Sequence, residues 1–226
     1  MKNTMKILIL GLLVWLVSGT LALAGDREDA ENLIEKSRIA FDEMLRSPDS
    51  VMPDDLLRDC AGLVIIPEMI KGGFIFGGAY GQGIVLAHRD GKWLGPAFVY
   101  IGAASVGFQI GAESVGLILV VLGQKTMDSF LRASFKLGGD VAIAAGPVGA
   151  QVTAATDIML KGGIFSYSRA KGLFAGVSLE GAGMGSLPGL NRAYYNTRNV
   201  KSILYGNIEK TPTVSRLIET LKKYKK

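Results

Sequence analysis

Glycine recurs through apolar segments that alternate with a period of two, and this pairing restricts the fold more than any other feature of the chain. From Lys71 to Val121 the apolar positions fall two apart, at Phe98 and Tyr100, at Val106, Phe108 and Ile110, and at Leu117, Leu119 and Val121. That is the period of a β-strand. Thirty glycines in 226 residues punctuate such runs. Within a strand a glycine marks a bulge, a sharp bend or a close backbone approach. A strongly curved sheet or partial barrel is expected. The connections are short, which predicts antiparallel pairing, and Asp90-Gly91 supplies a hairpin turn with Trp93 on the returning strand. A second strand block follows, with Val148, Ala150, Val152, Ala154 and Ile158 on one face, then Leu173, Ala175, Val177 and Leu179. In both runs one face reads as apolar and the other as mixed. Lys71-Gly72-Gly73 recurs as Lys161-Gly162-Gly163, a weak hint that the two blocks repeat.

Helical spacing appears around the strands. Ala30, Leu33, Ile34, Ser37, Phe41, Met44 and Leu45 form one stripe between Asp26 and Leu45, with charged residues on the other faces. Pro53, Asp54 and Asp55 open a short second helix that stops near Gly62 and leads into the strand GLVIIP. Thr126 to Phe135 reads as one helix laid over the sheet, between the two strand blocks. Gly181 to Gly189 reads as a flexible loop with no helix after it. A short helix is expected around Asn199 to Tyr205, and a last one opens at Thr211-Pro212 with Val214, Leu217, Ile218 and Leu221 on its buried stripe. The fold class is α+β: a strongly curved, glycine-rich antiparallel sheet or partial barrel, flanked by N- and C-terminal amphipathic helices. Helices at both ends and a basic C-terminus argue against a closed, lipid-facing barrel.

The first residues follow a different logic. Lys2 and Lys6 precede an apolar run from Ile7 to Val17, and Ala22-Leu23-Ala24 fits a small-x-small cleavage site. Residues 1–24 are expected to be a secretory signal peptide, the alternative being a retained membrane anchor. Residues 25–226 form a single domain, since 49% apolar content at this length suffices for one sizeable core. Removing the leader lowers the formal charge from +5 to +3, too little to imply nucleic acid. The single cysteine, Cys60, makes no internal disulfide and reads as a buried thiol.

Catalytic chemistry finds little support. A serine nucleophile needs a base, and the chain has one histidine, His88, beside a turn. Ser166 and Ser168 read as polar residues on the solvent side of a strand. Glu113, Asp140, Asp157 and Glu180 read as solvent-facing acids, with paired-carboxylate chemistry left open. One histidine and one cysteine cannot build a tetrahedral N/S metal site, and no acidic calcium loop occurs. Neither phosphate-loop nor dinucleotide-binding glycine patterns are present. No enzyme activity, cofactor or metal is expected. Ser168-Arg169-Ala170-Lys171-Gly172 places two cations around a turn, which suits either an anionic head group or plain solvent. The tail Lys222, Lys223, Lys225 and Lys226 complements the dipole of the last helix and would also be drawn to an anionic bilayer.

FSYSRAKGLFAGVSLEG, Phe165 to Gly181, resembles the signature of the SYLF family of lipid-binding proteins. AGLVIIPEMIKGGFIFGGAYGQG, GDVAIAAGPVGAQVTAATD and YNTRNVKSILYGN resemble further segments of that family, in its order, and cover most of the chain from Asp26 onward. The resemblance implies a non-enzymatic α+β module that binds phospholipid, actin-linked in eukaryotic members and envelope-located in bacterial ones. The segment from Asp26 to Leu45 departs from the basic N-terminal segment of eukaryotic members, being mixed and rather acidic. With the leader, this implies a bacterial, secreted member at the periplasmic or outer-envelope face. Its expected partner is anionic phospholipid or a membrane surface, contacted through Arg169 and Lys171 and more weakly through Lys161 and Lys71. The other expectation is a structural or protein-interaction scaffold docking an envelope protein.

Overall fold

A computed structural model of the chain describes residues 26–46, 52–73, 76–106, 111–147, 162–170, 173–176 and 179–224. The leader, the alternating run from Val148 to Ile158, Phe108, Ile110 and Val177 lie outside the described residues. Helix α1 spans 26–46, and its stripe folds as expected: Ala30, Ile34, Ser37, Phe41 and Met44 are buried. The Ser37 hydroxyl is satisfied by donating to the Leu33 carbonyl at 2.7 Å. Helix α2, Asp54–Asp59, begins after Pro53, whose fixed φ and missing N–H suit that position. It ends at extended Cys60, one turn earlier than Gly62 would suggest. Cys60 is buried, its thiol donating to the Leu57 carbonyl.

Among the described residues nine strands form one sheet: β1 Gly62–Gly73, β2 Phe76–Arg89, β3 Lys92–Val106, β4 Gly111–Val121, β5 Ser134–Lys136, β6 Ile143–Ala145, β7 Ile164–Ala170, β8 Leu173–Gly176 and β9 Gly183–Ser186. Their order is β5-β9-β3-β2-β1-β4-β7-β6, with β8 pairing beyond the end of β6 on β7. Every named pair is antiparallel except β6 with β7, which runs parallel. Parallel neighbours cannot be joined by a tight hairpin, and residues 146–163 separate β6 from β7 in sequence. The turn between β2 and β3 has Asp90 and Gly91 at φ 50 and 73, as an Asp-Gly hairpin requires.

Geometry compels the curl. Across eight strands a flat sheet would hold β5 and β6 about 34 Å apart at ~4.8 Å per strand. The chain from Lys136 to Ile143 reaches at most ~25 Å even fully extended and is folded here by a turn, with Asp140 N–H donating to the Lys136 carbonyl. The edges must therefore approach, and the sheet forms a half-barrel. Bulges assist. Pro67 sits in central strand β1 where both ladders lose register, between Ile65 and Glu68 on the β2 side and between Ile66 and Met69 on the β4 side. A proline has no N–H to give a ladder, so it is tolerated at such a break. Across it Gly83 has no room for a Cβ, which would collide with the Ile65 carbonyl.

The sheet is buried on both faces. Leu63, Ile65, Ile84, Phe98, Ile118, Phe165 and Tyr167 face α1, α2 and the C-terminal helix, while Val64, Ile66, Val85, Val99, Leu117, Leu119 and Ile164 face the other side. This corrects the expectation that Ser166 lies on the solvent side of its strand: it is fully buried, donating to the Ala144 carbonyl at 3.1 Å. The parallel neighbour β6 supplies that acceptor, which local alternation does not reveal. The helix expected over Thr126 to Phe135 is shorter. Helix α3, Gln124–Met127, passes into a 3-10 turn, Asp128–Leu131, and Phe135 belongs to β5, where it packs edge-on against Phe130 at 4.9 Å.

The expected loop at Gly181 to Gly189 is also corrected, since it holds β9 and the first turn of helix α4, Pro188–Tyr195. Pro188 occupies a first-turn position where its ring is pre-organised for helix. Buried Asn191 then holds β3, accepting from Phe98 N–H at 2.9 Å and donating to the Phe98 carbonyl at 3.2 Å. Helix α5, Val200–Tyr205, is capped by Asn199, and helix α6, Pro212–Lys223, is capped by Thr211. Val214, Leu217, Ile218 and Leu221 of α6 are all buried, as the spacing predicts.

Candidate functional site

Helix α1 covers only part of the sheet. Its last turn meets the sheet at Gly116, where a Cβ would lie 3.6 Å from the Met44 sulfur and 3.3 Å from the Pro67 carbonyl. Beyond that row β1 and β2 continue as a glycine-rich arm. On the side that carries α1 it presents Glu68 and Ile70 from β1 and Tyr80 and Gln82 from β2, with Ile70 and Tyr80 directly opposite each other. Ile70 is 56% exposed and Tyr80 50%. Exposure of two large apolar groups side by side is costly unless something meets them.

The patch is held in place. Tyr80 stacks on Tyr100 with ring centroids 6.3 Å apart, and Gln82 donates to the Tyr80 hydroxyl at 3.0 Å. Ser114 donates to the Glu68 carboxylate at 2.9 Å. The ladder neighbours here are small, with Gly78 opposite Ala104 and Gly102 opposite Tyr80. These apolar residues escaped a search for chemistry. The signal was present in the strand alternation, as an isoleucine and a tyrosine among glycines.

Of the cations singled out in the sequence, Arg169 and Lys71 are described and Lys171 and Lys161 lie outside the described residues. Arg169 pairs opposite Gly116 in the ladder and lies near the end of β7, 30% exposed, with its guanidinium 3.7 Å from the Glu43 carboxylate of α1. It therefore stands at the border between the helix-covered and the uncovered sheet. Lys71 follows Ile70 on β1 and points to the other face, half-buried, opposite Ala79 and Glu113 in the two ladders. The structure thus brings Arg169 and Lys71 to the same end of the sheet but on opposite faces.

Other groups are structural. On α1 the Arg38 guanidinium forks onto Glu35, with distances of 2.6 to 3.1 Å, and holds that carboxyl below its ordinary range. Burial pushes the phenols of Tyr167 and Tyr195 well above theirs. The Tyr195 hydroxyl donates to the Pro96 carbonyl at 2.7 Å. His88 lies against Trp93, ring centroids 4.6 Å apart, with Nδ1 3.0 Å from the Cys60 carbonyl oxygen. Among the acids considered for catalysis, Asp140 accepts from Lys136 N–H at 2.7 Å and Glu180 lies exposed in a turn. Asp157 lies outside the described residues. Among the described residues no three His, Cys, Asp or Glu side chains converge as a metal set.

Residues 102–224 match the family model Ysc84, described as Las17-binding protein actin regulator. Similar proteins include LAS seventeen-binding protein 3 of Saccharomyces cerevisiae, 36% identical over 178 residues that make up 76% of this chain and 39% of that protein. Protein YSC84 of the same yeast is 34% identical over 178 residues, 76% of this chain and 38% of that protein. SH3 domain-containing YSC84-like protein 1 of Xenopus laevis is 31% identical over 178 residues, 77% of this chain and 53% of that protein. The chain thus spans about two-fifths to one-half the length of these relatives. With the match covering more than half of the chain, this protein belongs to the Ysc84 family, the SYLF domain proteins.

Proposed function

We propose that the chain is a non-enzymatic phospholipid-binding module of the cell envelope that meets anionic lipid with the uncovered, glycine-rich end of its sheet. The observation that carries this reading is that exposed Ile70 and Tyr80 lie at the same end of the sheet as Arg169, on their face, and Lys71, on the other. A tyrosine with an apolar body and a polar tip suits the boundary between head groups and acyl chains. Cations at the same end of the sheet are drawn to an anionic surface by about 1 kcal/mol each. Lys171 and Lys161, each next to a glycine in sequence, would add to that attraction. The envelope location rests on the apolar leader, residues 1–24.

Flotation with anionic and with neutral vesicles tests the reading. Anionic vesicles should bind the chain better, and K71A/R169A should lower their binding roughly 30-fold, two charges at about 1 kcal/mol each. Glu43→Gln should strengthen it, because Arg169 is then freed of its carboxylate neighbour. Equal binding to both vesicle types would refute the electrostatic part. The name of LAS seventeen-binding protein 3, a yeast relative, favours a second reading, in which the same exposed face docks a protein as part of a scaffold. Capture of one stoichiometric protein from envelope extract, abolished by Ile70→Ser with vesicle binding intact, would establish it.

A further inference from the structure

Toward the opposite end of β3 from Tyr80's partner Gly102, a cleft of about 670 Å³ opens between the first turn of α1, the end of α4 and the connection into α6. That volume lies within the range of small-molecule sites. Its charged lining is Arg27, Arg192 and Lys210 against Glu209. None of the ion pairs found among the described residues involves Arg192 or Lys210, and both are exposed. Arg27 is positioned but weakly engaged: its guanidinium lies over the Tyr194 ring at 5.3 Å, donates to the Tyr194 carbonyl at 3.5 Å and is 3.9 Å from Glu31. The Tyr194 hydroxyl is tied to Thr211 at 2.6 Å, and burial raises its phenol, so this wall stays neutral. The positive end of α6, twelve residues long, closes the cleft and adds to the field of the three cations.

We propose that this cleft binds a phosphorylated alcohol, with Arg27, Arg192 and Lys210 taking the phosphate oxygens. A phosphate dianion matches three cations facing one carboxylate better than a single carboxylate ligand does, and guanidinium forks suit phosphate oxygens. The cleft exceeds the volume of a bare phosphate, leaving room for the alcohol portion against Ile208 and Pro212. The site is separate from the uncovered sheet end and does not depend on lipid binding there. Its ligand is either a soluble phosphate ester or a lipid head group of the same chemistry.

Two exposed double variants test the site: R192A/K210A, which removes two of the three cations named in the cleft, and K222A/K223A, which removes the same charge elsewhere. Calorimetric titration with glycerol 3-phosphate, with glycerol as the neutral control, forms one arm. Flotation with phosphatidic acid vesicles forms the other. A loss of roughly tenfold or more in glycerol 3-phosphate affinity in R192A/K210A, spared in K222A/K223A, supports the site with a soluble ester. If the soluble ester does not bind but vesicle binding falls selectively in R192A/K210A, the site is supported with a lipid source. If neither ligand distinguishes the two variants, the proposal is overturned. Lys71 and Arg169 are intact in both variants, so failure of the contact at the sheet end leaves the soluble arm readable.

Discussion

Asn191 shows how one side chain can join two elements. Its amide answers both the N–H and the carbonyl of Phe98 from a fully buried position, tying α4 to β3. Asn191→Ala would orphan the Phe98 N–H, the carbonyl still accepting from Leu187 N–H, and should cost about 1–3 kcal/mol in urea denaturation. Asn191→Asp, which keeps an acceptor but no donor, should also destabilise. A second expectation concerns alkali. Tyr167 and Tyr195 have phenols raised by burial above the unfolded value of about 10. Their contribution to stability is therefore complete below that pH and is lost as pH rises beyond it, because the unfolded chain ionises first. Thermal melts should fall above about pH 10, and less steeply in Tyr195→Phe. Single residues were the least readable level of the sequence. Cys60 was recognisable as a buried thiol from its apolar surroundings. Ser166 was not, since its acceptor comes from β6, 22 positions earlier. Asn191 was hidden likewise, with its partner 93 positions away.

Elements with strong local signals were readable, and those formed by distant packing were not. α1 and α6 follow their apolar stripes, and the Asp90-Gly91 turn follows from backbone chemistry. α4 is opened by Leu187, which makes no side-chain cap bond, and contains Gly189, so its start signal, Pro188, stood against a missing cap and a poor helix former. The segment from Thr126 has helical spacing, yet Phe135 leaves it to pair in β5 with Met184 of β9. At this scale the cap of α6 is a sensitive point. Thr211 Oγ1 accepts from Val214 N–H at 3.3 Å and also bonds the Tyr194 hydroxyl, coupling α6 to α4. Thr211→Ala should cost about 1 kcal/mol for the cap plus about 1 kcal/mol for the second bond. Thr211→Ser, which keeps both, should recover most of it in the same denaturation experiment.

For the whole molecule, the decisive property is a half-barrel sheet covered unequally. The curl and bulges let both faces be buried around the centre, while the arm of β1 and β2 beyond Gly116 keeps Ile70 and Tyr80 open. The curved glycine-rich sheet was readable from period and composition, and the cations of the candidate site from their sequence. The apolar half of the site was not, because whether a strand residue is covered depends on where α1 ends. Hydrogen–deuterium exchange in the presence of anionic vesicles tests the central claim most directly. Slowed exchange in peptides covering 67–80 and 102–114, absent with neutral vesicles, is the predicted result. Exchange in those segments unchanged from solution, under conditions where the chain is bound to the vesicles, would contradict it.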